Sequence, residues 1–507
     1  MTAQGVNLFV NDGGLGQSPP GQGNTEYVIG IGSAGPFYQI IQSTNPTDFQ
    51  ANGTGPGVEL AGFIVNSTGN PVAFVAVPSN ANGTNSGIKG STPGGSTSTV
   101  TLTGTPNDTY YGLLTCLVGG TIGVAGIQLG ISLDAGRTTY LTVNLGTANT
   151  VLIQIPGQPS TGITLNFAAG TMVANDTWGW LSTEPTWSDA QIQSAINLMV
   201  TIPSLIPEDL FVAGGSVARN GGGTVGAAAA DVTAFDGYMT TLFNKKRFNR
   251  LICAAGDAMW GGASTETEAA WLTSIETAFV NSSSLRVGVT GGHYNAISPY
   301  SQAQFRRPLL WQAAARDSAV AIQVDLGRVK DGSLANMPLP TKPDGYIYHD
   351  ESVNPGLDAA RFMSAWSILN RPGLFIKNGN LMAPPGSDFN WLQHGHVMDA
   401  ACLIAYDFFV EELSDSVRVS STTGFILPQD RATLQNGCNA ALANGLTNAS
   451  AVSSATCVVS PSDNILSTAT LSVTISIVPL GYIKAVNVTL TFVNPAVIQV
   501  QSSAGGP

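Results

Sequence analysis

Two alternating runs near the C-terminal end give the clearest pattern in this chain. Apolar Leu471, Val473, Ile475 and Ile477 alternate with Ser472, Thr474 and Ser476, the period of two that marks a half-buried strand. After the turn-forming Pro479, Leu480, Gly481 and Tyr482, the residues Val486, Val488, Leu490 and Phe492 alternate with Asn487, Thr489 and Thr491. A second strand is therefore predicted over 486–493. Upstream the apolar spacing becomes helical. Pro428 opens a predicted helix over 428–446, with Leu434, Cys438, Ala441 and Leu442 on one face. Another helix is predicted over 396–415, with Val397, Ala401, Ile404 and Phe408 as its apolar face. On that helix Asp407, Glu411 and Asp415 recur at i+4, and Asp399 extends the acidic stripe two turns earlier.

The N-terminal pattern differs. A short extended piece carrying Val6, Leu8 and Val10 gives way to Gly, Pro, Asn and Gln, and residues 1–25 read as an arm. From residue 26 strands are predicted at 27–31, 39–43 and 71–77, with a short helix from Thr47 and another over 58–65. Residues 80–97 form a polar Gly/Ser/Thr linker, and from there to about 183 every segment reads as strand and turn. Ser188 caps a helix reaching 200, with Ile192, Ile196 and Met199 on one face. Strands predicted at 209–213, 250–255, 285–290 and 319–324, separated by helical stretches such as 267–279, indicate a mostly parallel sheet. The expected fold class is α/β and β multidomain. It comprises the arm 1–25, a discontinuous α/β domain over 26–91 and 184–385, an inserted β-sandwich-like domain over 92–183, and an α+β domain over 386–507 with a C-terminal strand.

Composition narrows the function. A chain of 507 residues exceeds one ordinary core. Only 10% of it is charged, against about 25% in typical globular proteins, and it contains 59 glycines. A neutral polar surface suits a subunit that packs against copies of itself, and it suits exported proteins as well. A net charge of −12 argues against nucleic acid as a direct partner. The basic run Lys245, Lys246, Arg247 and Arg250 reads as a solvated helix end. Residues 110–133 are uncharged and long enough to cross a bilayer. Yet they hold six glycines from Gly112 to Gly130 and alternate over 128–133, so strands and no membrane insertion are expected. Residues 1–12 lack the basic start and apolar core of a signal peptide.

Candidate chemistry is sparse. Gly221, Gly223 and Gly226 satisfy GxGxxG between a strand and a helix, the context of a dinucleotide site. The glycines do not follow the strand directly, and no acidic residue ends the next strand at the required spacing, so a glycine loop is the simpler reading. His394 and His396, followed by Asp399, form half of a metal-site pattern, but i and i+2 on a helix diverge by about 200°. His349, Asp350 and Glu351 could hold an acid–base pair, although a strand end is naturally polar. The five cysteines Cys116, Cys253, Cys402, Cys438 and Cys457 include no CxxC and read as small core residues. Trp178, Trp180 and Trp187 could stack on a sugar or pack a domain junction. No catalytic residue, metal ligand or cofactor is assigned.

The order of C-terminal elements, with residues Gly481, Tyr482, Ile483 and Lys484 leading into the last strand and Phe492, Val493, Asn494 and Pro495 closing it, resembles contractile tail sheath proteins of bacteriophages. Residues 28–36, ending in Gly35-Pro36, are similar to the strand and turn that open that family's α/β domain. Residues 63–75 resemble its helix, glycine turn and strand, and 345–350 through Arg361, Phe362, Asn378 and Gly379 look like the segment before its inner domain. The resemblance implies a non-enzymatic virion subunit. Such a subunit polymerises with itself into a six-fold helical sheath around a tail tube protein, meets baseplate and sheath terminator proteins, and contracts to drive the tube through the host envelope. It would assemble in the host cytoplasm. Val6, Leu8, Val10, Val486, Val488, Leu490 and Phe492 would then link subunits by strand addition, and Asp407, Glu411 and Asp415 would face the tube. An α/β enzyme using the glycine loop or the histidines, or a carbohydrate-binding surface protein, is the alternative.

Overall fold

A computed structural model describes residues 25–155, 160–202, 204–216, 225–258, 266–337 and 348–490. The runs of Val, Ile, Phe and Ala predicted as buried strands form one sheet. Its members are β1 (Glu26–Ile31), β2 (Ile40–Ser43), β3 (Val72–Val77), β4 (Asp209–Val212), β5 (Arg250–Ala254) and β6 (Val287–Thr290), in the order β6-β5-β4-β1-β3-β2. All pairs are parallel except β2 with β3. Alternate residues serve opposite faces, which explains the unbroken apolar runs. Val28, Phe74, Phe211 and Ile252 pack with helices α1 (Pro56–Thr68) and α5 (Leu310–Ala319). Tyr27, Ile29, Val75, Leu210 and Leu251 pack with α2 (Asp189–Thr201), α3 (Val225–Asn244) and α4 (Glu268–Phe279). The approach of α1 to β1 is close: a Cβ on Gly30 would lie 2.5 Å from the Gly57 Cα. Ser188 and Gln191 form the capping box of α2, and Thr267 caps α4.

One predicted strand is absent. Residues 319–324 turn after α5, with the Val324 amide donating to the Ala321 carbonyl at 2.7 Å. The sheet position beside β6 is already taken: Met363 N–H donates to Val289, and Gly291 N–H donates to Met363.

The described residues of 84–183 form strands, turns and loops without a helix. Residues 110–133, long enough to span a membrane, contain the strands Tyr110–Val118 and Gln128–Ser132, and no described helix is long and apolar enough to cross a bilayer. Part of the predicted linker is strand too: Thr84–Asn85 and Lys89–Ser91 pair with Thr177–Thr183. The insert's core includes Leu114, Leu129, Ile163, Trp178 and Trp180, and it is completed by Ala303 and Phe305. These two come from outside, at the hairpin of β7 (His293–Ile297) and β8 (Gln304–Pro308).

The C-terminal unit packs α6 (Leu392–Glu411) and α7 (Pro428–Leu442, continued by the π-helical turn Ala443–Thr447) against the antiparallel pair β9 (Ser454–Val459) and β10 (Val473–Val478). Val397, Ala401, Leu434, Cys438, Leu446, Cys457 and Ile477 form its core. The strand predicted over 486–493 does not form in its described part. Residues 481–490 are irregular and pair with no described strand of this chain, so their backbone groups lack a ladder. Phe492, and Val6, Leu8 and Val10 of the arm, lie outside the described residues.

Candidate functional site

The C-terminal pair is a two-stranded sheet with unequal edges. On β9 the outward amides of Cys457 and Val459 donate to the Asn439 and Gln435 side chains of α7, at 2.6 and 3.2 Å. That edge is closed. β10 pairs with β9 alone among the described residues, which leaves its other edge open. Beyond β10 the chain is pinned to the α/β body. The Tyr482 hydroxyl donates to the Gln323 carbonyl at 2.6 Å, and Lys484 pairs with Asp325, donates to Asn378 and lies over the Trp391 ring. After this anchor the apolar positions stand in solvent: Val486 is 73% exposed, Val488 71% and Leu490 90%.

Of the predicted acidic stripe, part survives. Asp407 and Glu411 are exposed one turn apart at the end of α6, and Glu411 helps raise the Asp407 pKa, after partial burial. The helix stops at Glu411, and Ser414 takes a positive φ of 70°, so exposed Asp415 lies past the helix and out of its register. Asp399 leaves the stripe altogether. It is buried and ion-paired with Arg250 at 2.9 Å and Arg286 at 3.2 Å.

That pairing belongs to a buried polar junction where α6 crosses the amino ends of the parallel strands. Glu26, Asp209 and Arg250 lie side by side there on β1, β4 and β5, with Glu208 just before β4. Helix α5 adds Asp317 and α6 adds His396, whose Nε2 sits 2.8 Å from Asp209 Oδ2. Burial opposes a charge on His396, yet the Asp209 and Asp317 carboxyls carry its pKa up to about 9. Burial, and then their mutual proximity, pushes the Glu26, Glu208 and Asp317 carboxyls well up. His394 points elsewhere, its Nδ1 at 2.7 Å from the Asp388 carbonyl, so the two histidines diverge as the helical spacing requires. Sequence reasoning missed Glu26, Glu208, Asp209 and Asp317, and it read Arg250, which is buried and paired with Asp399, as part of a solvated basic run. The available signal was acid or Arg at the first position of an apolar strand, in a chain poor in charge.

The remaining candidates separate. His349 is held between Glu351 at 2.9 Å and Glu268 at 3.3 Å, with its side chain fully buried. Trp178, Trp180 and Trp187 are all buried, so they present no face to a sugar. All five cysteines are free and buried. The GxGxxG glycines Gly221 and Gly223 lie outside the described residues.

A family profile described as DUF2586, N-terminal domain, matches residues 3–380. The chain belongs to the DUF2586 family. No curated protein matches it in sequence. In structure this DUF2586 chain is similar to the sheath of an extracellular contractile injection system, solved as the PVC sheath complex in the contracted state. The two share 8% identity over 97% of this chain and 98% of that one, with a TM-score of 0.50. It is also similar to the sheath tail protein of Desulfitobacterium hafniense (11% identity, 94% and 100% covered, TM-score 0.42). A third likeness is to the sheath tail protein of Listeria innocua (10% identity, 92% and 97% covered, TM-score 0.41). At 8% identity the likeness to the injection-system sheath is one of fold alone.

Proposed function

We propose that this protein is a structural, non-enzymatic subunit of a contractile sheath, polymerising with copies of itself around a tube and contracting to drive that tube through an envelope. The observation that carries the reading is the C-terminal segment. A chain that anchors Tyr482 and Lys484 on its own body and then holds out Val486, Val488 and Leu490 is built to donate a strand. The open edge of β10 is built to receive one, because unpaired backbone and an apolar alternation are both satisfied by strand addition. Val6, Leu8 and Val10 of the arm and Phe492 extend the same exchange. The sheath fold shared with the contractile injection system supports this assignment. A bacteriophage tail that ejects a genome is one such particle and a phage-derived injection particle is another; in either, the tube, baseplate and terminator proteins are the expected partners. Asp407 and Glu411, exposed one turn apart, support a contact with basic residues of the tube, through exposed pairs that each contribute about 0–1 kcal/mol and weaken with salt.

The test is electron microscopy of the purified chain by negative stain. The full chain should form tubes or sheath-like polymers, and a chain ending at Leu480 should stay folded and unpolymerised. A small soluble oligomer from the full chain, under conditions where it is folded, rejects the sheath reading. Tubes from the truncated chain reject strand donation alone.

A further inference from the structure

The junction beneath α6 has more acid than its cations account for. Arg250 and Arg286 are both engaged by Asp399. That leaves Glu26, Glu208, Asp209 and Asp317 around the single imidazole of His396. All five side chains are at least nine-tenths buried. Each of the four carboxyls also has one oxygen with no hydrogen-bond partner: Glu26 Oε1, Glu208 Oε1, Asp209 Oδ1 and Asp317 Oδ2. Buried oxygens of this kind cost free energy unless something satisfies them. Among the described residues, Asp209, Asp317 and His396 present donor atoms that all lie within 4.8 Å of one another. Metal–ligand bonds of roughly 2.0–2.2 Å place donors about 3–4.4 Å apart, so the three can share one ion with small side-chain adjustments. Glu208 Oε1, 3.7 Å from His396 Nδ1, and Glu26, whose Oε2 accepts from the Asp209 amide at 3.3 Å, line the same spot.

We propose that Asp209, Asp317 and His396, with Glu26 or Glu208 as a further ligand, form a buried site for one divalent cation of the Zn²⁺ or Mn²⁺ class. One imidazole with several carboxylates favours these ions over Ca²⁺ and Mg²⁺, which prefer oxygen ligands alone and, for Ca²⁺, more of them. The ligands come from β4, α5 and α6, so the ion ties the first helix of the C-terminal unit to the amino ends of the sheet. It enters as α6 docks during folding, since the finished site is covered. In a contractile lattice that joint transmits load between the linked C-terminal units and the outer body, but the site stands on its own geometry whatever the chain assembles into.

The experiment is metal analysis of the full chain, expressed with Zn²⁺ and Mn²⁺ in the medium and purified without chelator. Elemental analysis should find close to one equivalent of Zn²⁺ or Mn²⁺ per chain. Unfolding and refolding in EDTA should lower the melting temperature by several degrees, and adding Zn²⁺ or Mn²⁺, but not Mg²⁺, during refolding should restore it. Asp317→Asn and His396→Gln should each lose the bound metal and the metal-dependent part of the melting temperature. Where a variant fails to fold, the wild-type stoichiometry decides alone. Less than a tenth of an equivalent in the wild type, with no response to EDTA or added metal, would overturn the site and leave the carboxyls satisfied by shared protons.

Discussion

At the residue scale, the best-defined polar contact lies where the insert meets the body. The Asp257 carboxylate accepts from Arg306 Nε at 2.6 Å, from Arg306 Nη2 at 2.8 Å and from the Tyr111 hydroxyl of the insert at 2.7 Å. Burial would raise its pKa, but Arg306 and then His293 outweigh that and hold the carboxyl far below the ordinary range. A depressed folded pKa contributes stability that is fully present above the unfolded value of about 3.9 and is lost as pH falls below it. Asp257→Asn leaves the buried Arg306 guanidinium without its counter-charge and should cost about 3–5 kcal/mol at pH 7. Denaturant melts of wild type and variant should show that gap at pH 7 and a narrowing gap below pH 4. A gap independent of pH would mean that packing, rather than charge, carries the effect.

At the element scale, α6 joins the two halves of the molecule, and Gly395 shows how tightly. A Cβ there would lie 1.9 Å from Arg250 Nε and 2.2 Å from its Cζ. Alanine ordinarily stabilises a helix by about 1 kcal/mol over glycine. Here Gly395→Ala should instead lower the melting temperature markedly, because Arg250 must leave Asp399; a thermal scan of the purified variant checks the sign. The end of the same helix reads differently. Acidic Asp407 and Glu411 sit where the helix dipole disfavours negative charge, so they are not there for helix stability. Reversing both to lysine should leave folding and self-polymerisation intact and weaken co-sedimentation with tubes across a salt series. Unchanged sedimentation would reduce them to solvated residues.

At the scale of the whole molecule, the insert has its own sheets but not a sealed core. Phe305 closes it from β8, and Arg307 reaches from the same strand to Asp108 at 2.8 Å and the Thr109 carbonyl at 3.0 Å while holding Glu59 of α1 at 3.2 Å. Replacing residues 98–183 by a short linker should therefore lower the melting temperature and expose Phe305. Adding Phe305→Ser should recover solubility, and assembly of that double variant would show that the insert is dispensable to the lattice. An unchanged melting temperature on excision alone would mark the insert as an independent domain.

The sequence by itself determined the strand and helix texture. β1 to β6 and β10 and helices α1 to α4, α6 and α7 were legible because period two, period 3.6, the Ser188 cap and the Pro428 helix start are local properties, whereas α5 and β9 were not read. It also marked a strand-rich stretch after the linker, where alternation replaces unbroken apolar runs, though strands of that sheet already begin at Thr84. Only the tertiary structure decided what depends on neighbours. Residues 319–324 look like a strand, but Met363 holds the edge they would need. Residues 486–490 alternate like a strand, but no described partner in the chain completes the ladder. Asp399 reads as one member of a surface stripe until α6 docks and turns it onto Arg250. The Asp209, Asp317 and His396 cluster was invisible for the same reason: its residues are far apart in sequence, and only the packing of α5 and α6 against the sheet brings their donor atoms within 4.8 Å of one another.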